Sequence, residues 1–225
     1  MAEMVIHIST LQFLRQLRRH NEREWFEAHR TDYLLAKRNV EDFVGEVIRL
    51  FSSIDPHIAG LQPRDCLFRI YRDIRFSKDK TPYKTHFAAS FQRKGKRVHT
   101  PGYYLHIEPD GNSFIGGGIW HPFPEDLKKI RQEIDYNLEA FEQIIRQPAF
   151  NRRFGDLTDE EALQRPPKGY APDHPGIRYL KMRNFIVGHE ISDEQVLSSG
   201  LLKQIINDFT LMKHFIDFLS RALDD

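Results

Sequence analysis

A single cysteine, Cys66, occurs in the 225 residues, which excludes an internal disulfide and any zinc site built from cysteines alone. No apolar run approaches the length needed to cross a bilayer, so no transmembrane helix is expected. The opening residues Met1-Ala2-Glu3-Met4 lack a basic segment leading into an apolar stretch, and no signal peptide is expected from them. Fixed-period repeats, low-complexity tracts and long linkers are also missing, which removes solenoids and arrays from consideration. Nor does the chain carry a G-x-S-x-G elbow, a P-loop, an H-E-x-x-H motif or a dinucleotide fingerprint. These gaps leave the expectation of a cytoplasmic protein in a reducing compartment, with no cofactor.

What the chain does have is ordinary for a folded protein. Hydrophobic residues make up 40% and charged residues 29%, with 17 Phe and 8 Tyr, far too many aromatics for a disordered chain. The length suits one large core, and a single domain over 1–225 is expected. Net charge is +1 but unevenly placed. From Arg64 to Arg97 eleven Lys and Arg meet three Asp, a local excess of +8 on a mildly acidic remainder. Such a segment is either a solvated surface or a meeting place for phosphate, nucleic acid or carboxylate.

Two hydrophobic periods alternate along the chain. The first fifty residues are helical in pattern: Ser9 with Gln12 suggests a capping box, and Asn21 with Glu24 a second start. Val40, Phe43, Val44, Val47, Ile48 and Phe51 then line one helix face. Between about Cys66 and Ile119 the period changes to two. Phe87, Ala89 and Phe91 alternate with His86, Ala88 and Ser90, and Tyr103, Leu105 and Ile107 alternate with Tyr104, His106 and Glu108. The turn Glu108-Pro109-Asp110-Gly111-Asn112 predicts a hairpin to Ser113–Ile119. Helical spacing returns from Pro124, with a break near Asn137. Residues 166–176 form a loop, Arg183–Glu190 a strand, and Ser192 with Gln195 caps a short helix before the last long one. The expected fold is α+β: an antiparallel central sheet covered on its apolar face by N-terminal and C-terminal helices.

The opposite sheet face is unusual. His86, Tyr104, His106 and Glu108 share it with the small residues Ala88 and Ser90, which suggests a recess with polar aromatic walls. His106 is expected at its floor, with Arg69, Arg72 or Arg75 on its rim. Gly116-Gly117-Gly118 marks a bulge or a close approach, by a ligand or by a helix of the same chain. The densest local signal is FRIYRDIRFSKDKTPYKTH, residues 68–86. Arg69, Arg72 and Arg75 recur every three residues around Asp73, and a guanidinium fork suits phosphate or carboxylate. Lys80, Tyr83 and Lys84 could reach over a bound anion, and Tyr170, in a second polar loop, could close the same cleft. The competing reading is a scaffold in which the arginines pair with Glu22, Glu24 or Glu27. No metal site is expected: among eleven histidines no pair has helical ligand spacing, and only His99, His106 and His121 suggest convergence.

The run Arg69-x-x-Arg72-Asp73-x-Arg75-Phe76 with Asp79-Lys80-x-x-Tyr83 resembles the signature of the domain-of-unknown-function 2461 family, a mainly bacterial group with some fungal members. GYYLHIEP (102–109), the triple glycine and KGYAPDHP (168–175) extend the resemblance over nearly the whole chain. It implies that Arg69, Arg72, Asp73, Arg75, Lys80 and Tyr83 act together, and it implies no activity.

Two function classes follow. One is an enzyme or ligand-binding protein for a phosphorylated or nucleotide-like small molecule. In it Arg69, Arg72, Asp73, Arg75, Lys80, Tyr83, Lys84, Tyr104 and Tyr170 bind, while His86, His106 and Glu108 supply acid–base chemistry. The other is an adaptor for RNA or an acidic protein partner, using a flat patch that includes Arg93, Lys94, Lys96 and Arg97.

Overall fold

The two hydrophobic periods become two layers, a helical one and an antiparallel sheet, in a computed structural model that describes residues 4–92 and 99–224. The chain opens with α1 (Ile8–Arg19), α2 (Arg23–Ala28) and α3 (Arg30–Phe51), and a short α4 (Pro63–Cys66) leads toward the sheet. Strands β1 (Phe87–Gln92), β2 (Gly102–Ile107) and β3 (Ser113–Ile119) follow in order. After them come α5 (Pro124–Tyr136), α6 (Leu138–Ile145), α7 (Pro148–Phe154) and α8 (Ile177–Leu180). The fourth strand β4 (Phe185–Ile191) precedes α9 (Asp193–Leu197) and α10 (Leu201–Arg221). Strand order is β1-β2-β3-β4 with every neighbouring pair antiparallel, so the α+β expectation holds.

Register decides which face is apolar. Phe87, Ala89 and Phe91 stand opposite Ile107, Leu105 and Tyr103, and Leu105 in turn opposite Ile115. All seven are buried. Helix α10 lies across β2 and β3, while α3 covers β1. Phe209 of α10 sits at the junction, with ring centroids 4.8 Å from Tyr103, 5.4 Å from Phe91 and 5.5 Å from Phe51. Among the described residues two buried carboxylates lie on this side: Asp55 accepts from the Tyr103 hydroxyl at 2.9 Å, and Asp208 accepts from Arg153 Nε at 2.6 Å, Arg153 Nη2 at 2.7 Å and His189 Nε2 at 2.9 Å. Burial alone would raise the Asp208 carboxyl group, but the bonds from His189 and Arg153 outweigh it and hold Asp208 below its usual range. These three residues tie α7 and β4 to α10.

Several local expectations need correction. Ser9 does not cap α1, which starts at Ile8 without a side-chain cap. The start is fixed from α3 instead, where Asn39 Oδ1 accepts from His7 N and from Thr10 Oγ1, both at 2.9 Å. Asn21 is likewise no cap: α2 begins after Glu22, and the Asn21 amide is engaged elsewhere. The break at Asn137 and the Ser192–Gln195 capping box are both present. In the glycine triplet the approaching body is a helix. A Cβ on Gly117 would lie 2.9 Å from Met212 Sδ of α10, so Gly117 belongs to the helix face and not to the polar recess. Gly118 has φ +128°, and a Cβ there would fall 1.9 Å from the Phe185 carbonyl oxygen.

Leu105 is buried between α10 and the strands on either side, so Leu105→Ala should cost about 2–5 kcal/mol, read from urea unfolding. The contiguous core also leads to an expected single calorimetric transition for the wild type. Two separate transitions would overturn the one-domain expectation.

Candidate functional site

The arginine-rich signature folds as a hairpin laid along β1. Phe68 N donates to Ala88 O at 2.9 Å, and antiparallel bridges join Leu67 to Ala89 and Tyr71 to Tyr83. Arg72 N to Pro82 O (2.9 Å) and Lys84 N to Ile70 O (2.8 Å) close the two arms. Asn21 grips the returning arm from outside: its side-chain amide donates to Tyr83 O and accepts from Tyr83 N, both at 3.0 Å. The Tyr83 ring is buried and stacked on Phe26 at 4.0 Å. It therefore does not reach over an anion, as expected from sequence, but anchors the arm that presents Lys84, Thr85 and His86.

At the hairpin tip most of the charges neutralise one another. Arg72 Nη1 donates to Asp79 and to Thr81 Oγ1. Arg75 makes a forked pair with Asp73, Nε to Oδ1 at 3.0 Å and Nη2 to Oδ2 at 2.7 Å. The hydrogen bond from Arg75 holds the Asp73 carboxyl down at about 2, and that from Arg72 does the same for Asp79. Lys80 Nζ donates to Ile74 O at 2.9 Å. The partners are carboxylates of the loop itself, and neither arginine reaches Glu22, Glu24 or Glu27. Arg69 differs. Among the described residues it makes no ion pair with a carboxylate, and its charge acts on Asp73 only at longer range.

On the polar sheet face His86, Tyr104, His106 and Glu108 do come together. The β1–β2 register, extended by one pair, sets His86 opposite Glu108, with His106 opposite Ala88. His106 Nε2 donates to Glu108 Oε2 at 3.0 Å, and the Tyr104 hydroxyl lies 3.4 Å from His106 Nδ1 as its donor. The His86 ring sits 4.2 Å from the His106 ring, and its Nδ1 is 3.9 Å from Glu108 Oε2. Thr85, not singled out from sequence as a site residue, donates its hydroxyl to Glu108 Oε1 at 2.8 Å. Phe114, also missed, stacks on His106 at 4.7 Å. Phe114 follows from carrying the alternation into β3, where it stands opposite His106, whereas Thr85 has the parity of Phe87 and no alternation places it on this face. Lys84 lies with its ammonium 5.3 Å from the Phe68 ring centre, and its charge acts on both histidines.

Burial sets the protonation states. It pushes the Tyr104 phenol up to about 12 and His106 below its usual value, the latter against the pull of Glu108. Burial, then the neighbouring His106, takes His86 down to about 4. Glu108 is raised by burial but lowered more by its bonds from His106 and Thr85, and it stays ionised. Near pH 7 the face therefore holds two neutral imidazoles, one carboxylate and one phenol. Glu108, His106 and Tyr104 form a path along which a proton can move. His86, His106 and Glu108 also offer three donor atoms within 4.8 Å of one another. His99 and His121 do not join them: His99 packs against Phe123, and His121 pairs with Glu161.

A cleft of about 520 Å³ opens on the other side of the Leu67–Phe68 arm, lined by Tyr33, Lys37, Glu41, Arg64, Phe68, Arg69 and Tyr71 among others. By alternation Arg69 follows Leu67 onto the helix side, so it is not on the rim of the His106 face. Phe68 touches both regions, with its ring 6.3 Å from that of Tyr104. Tyr170 belongs to neither; it packs against His174 beside Asp135 and Arg131 of α5. Arg93, Lys94, Lys96 and Arg97 lie outside the described residues.

A family model described as conserved hypothetical protein (DUF2461) matches residues 9–218. Neither the curated proteins nor the solved structures yield a match.

The low value of His86 makes a prediction with a definite sign. Its ordinary value is 6.5 and its folded value about 4, so between those limits the unfolded chain binds more protons than the fold. The contribution to stability is complete above about pH 6.5 and is lost as the pH falls toward 4, on the order of 2–3 kcal/mol. Urea unfolding at about pH 7.5 and 4.5, with a chelator present, reads this directly. His86→Phe should flatten the difference relative to wild type; an unchanged slope would contradict the assignment.

Proposed function

Because the chain belongs to the DUF2461 family, whose name carries no activity, we propose from its own geometry that it binds a phosphorylated or nucleotide-like small molecule. The site is the cleft beside the signature hairpin, and one observation carries the reading: Arg69 lines that cleft without an ion pair to a carboxylate among the described residues, next to Tyr33, Tyr71 and Phe68. A guanidinium not satisfied by a protein carboxylate favours a bidentate phosphate or carboxylate from solution. Aromatic rings beside it supply a stacking surface for a base or sugar. The volume lies within the range of small-molecule sites, roughly 300–1,000 Å³.

The other walls fit the same ligand class. Arg64 adds positive charge, and Lys37 is held by Glu41 at 3.0 Å, leaving that carboxylate also placed to accept from a ring N–H or a hydroxyl. Burial raises Tyr33, so its phenol remains a donor at neutral pH.

Inorganic phosphate, AMP and ADP should each raise the melting temperature more than chloride at matched ionic strength. At a hundred times Kd the gain is about 2.7 kcal/mol, several degrees for a chain of this size. Arg69→Ala should remove the difference, whereas Arg75→Ala, at a pair outside the cleft, should keep it. Persistence in Arg69→Ala, or no anion effect in the wild type, would overturn the reading.

A further inference from the structure

We propose that His86 Nδ1, His106 Nε2 and Glu108 Oε2 bind a divalent first-row transition-metal cation, with zinc as the best-matched ion. The inference stands on the polar sheet face and is independent of the cleft beside Arg69.

Geometry is the first support. Tetrahedral zinc with bonds of about 2.0–2.1 Å to nitrogen and oxygen needs donor atoms about 3.3 Å apart. Glu108 Oε2 lies 3.0 Å from His106 Nε2 and 3.9 Å from His86 Nδ1, values that bracket this spacing. All three donors fall within 4.8 Å of one another, so small side-chain rotations would seat an ion. His106 lies inside β2, and His86 and Glu108 directly flank the paired ends of β1 and β2, which fixes their backbones more firmly than a long loop would.

The surrounding bonds are the second support. Metal-bound histidines and carboxylates are held by outer partners on their remaining polar atoms. Here the unused oxygen of Glu108 accepts from Thr85, and the unused nitrogen of His106 faces the Tyr104 hydroxyl. Phe114 stacks on His106 and keeps its ring plane fixed. A hydrogen-bonded cluster without metal explains the His106–Glu108 contact but not His86. Its nitrogens make no hydrogen bond among the described residues, yet Nδ1 lies 3.9 Å from the same carboxylate oxygen.

Donor type and exposure narrow the ion. Two imidazoles and one carboxylate suit zinc, cobalt or iron, whereas magnesium and calcium favour all-oxygen shells. The side chain of His86 is 25% exposed against 11% for His106, so the cation has an entry path on the His86 side. Three protein ligands leave the fourth position open, as in catalytic rather than structural zinc sites.

Binding also demands a tautomer change. His106 carries its proton on Nε2 when it donates to Glu108, and that atom must be bare to ligate. The proton moves to Nδ1, and Tyr104 turns from donor to acceptor. The test uses the full chain stripped with EDTA and dialysed. Calorimetric titration with zinc chloride should give one ion per chain, and cobalt(II) should develop visible absorption of a low-symmetry site. His86→Ala and Glu108→Gln should weaken binding at least about tenfold, and Tyr104→Phe by about tenfold. His121→Ala should bind as wild type. Nitrogen-15 spectra of the wild type should show the His106 proton on Nε2 without zinc and on Nδ1 with it, a readout that needs no variant to fold. Absence of stoichiometric zinc binding, unchanged binding in both His86→Ala and Glu108→Gln, an unmoved His106 proton, or equally tight magnesium binding would each overturn the assignment.

Discussion

Pairing between β1 and β2 is the constraint on which the rest of the molecule depends. With Ala89 opposite Leu105, the side chains of Phe87, Phe91, Tyr103 and Ile107 all turn toward α3 and α10. A slip of one residue would drive His106 and Tyr104 into Phe209 and expose Leu105 to the other side. The same register brings His86 level with Glu108. Burial of the apolar face therefore positions the polar one. The helices need have no direct contact with His106 to determine where it stands.

The signature hairpin is built on a second principle, local neutralisation of charge. Arg72 with Asp79 and Arg75 with Asp73 make the strongly basic tip self-compensating. Exposed pairs of this kind contribute little stability each, but they fix the loop's conformation and leave Arg69 with a different environment. In an extended segment the spacing puts Arg69, Asp73 and Arg75 on one face and Arg72 on the other, and a turn would converge all three arginines. Alternation along the arm separates Arg69, on the helix side with Leu67, from Arg72, while Arg75 stands apart at the tip in its pair with Asp73.

Much of this was legible in the residues, and the reasons are physical. Half-buried strands must alternate, so the two sheet faces could be assigned from Phe87, Leu105, His86 and His106 before any coordinates. Helix breaks and caps are local, which is why Asn137 and Ser192 were readable. Asn21 and Ser9 misled because a short polar side chain near a helix start can serve a distant backbone as well as its own. The loop composition around Tyr83 and Tyr170, and for Tyr83 the signature, point to a site, but nothing local distinguishes a buried tyrosine from one at a cleft. The convergence of His86, His106 and Glu108 as donors is invisible at helical ligand intervals. On a strand the corresponding interval is two, and His106-x-Glu108 has it.

The double hydrogen bond between Asn21 and Tyr83 has a consequence for dynamics. The Tyr83 amide is covered by a side chain from the link between α1 and α2, not by a continuous ladder of strands. Its exchange with solvent deuterium therefore tracks departure of the N-terminal helices, while amides inside β2 track opening of the sheet. Because Lys84, Thr85 and His86 follow directly, loosening of α1 and α2 would free one wall of the polar face while His106 and Glu108 stayed in place. Asn21 is thus one point at which an event in the N-terminal helices is transmitted to the polar face of the sheet.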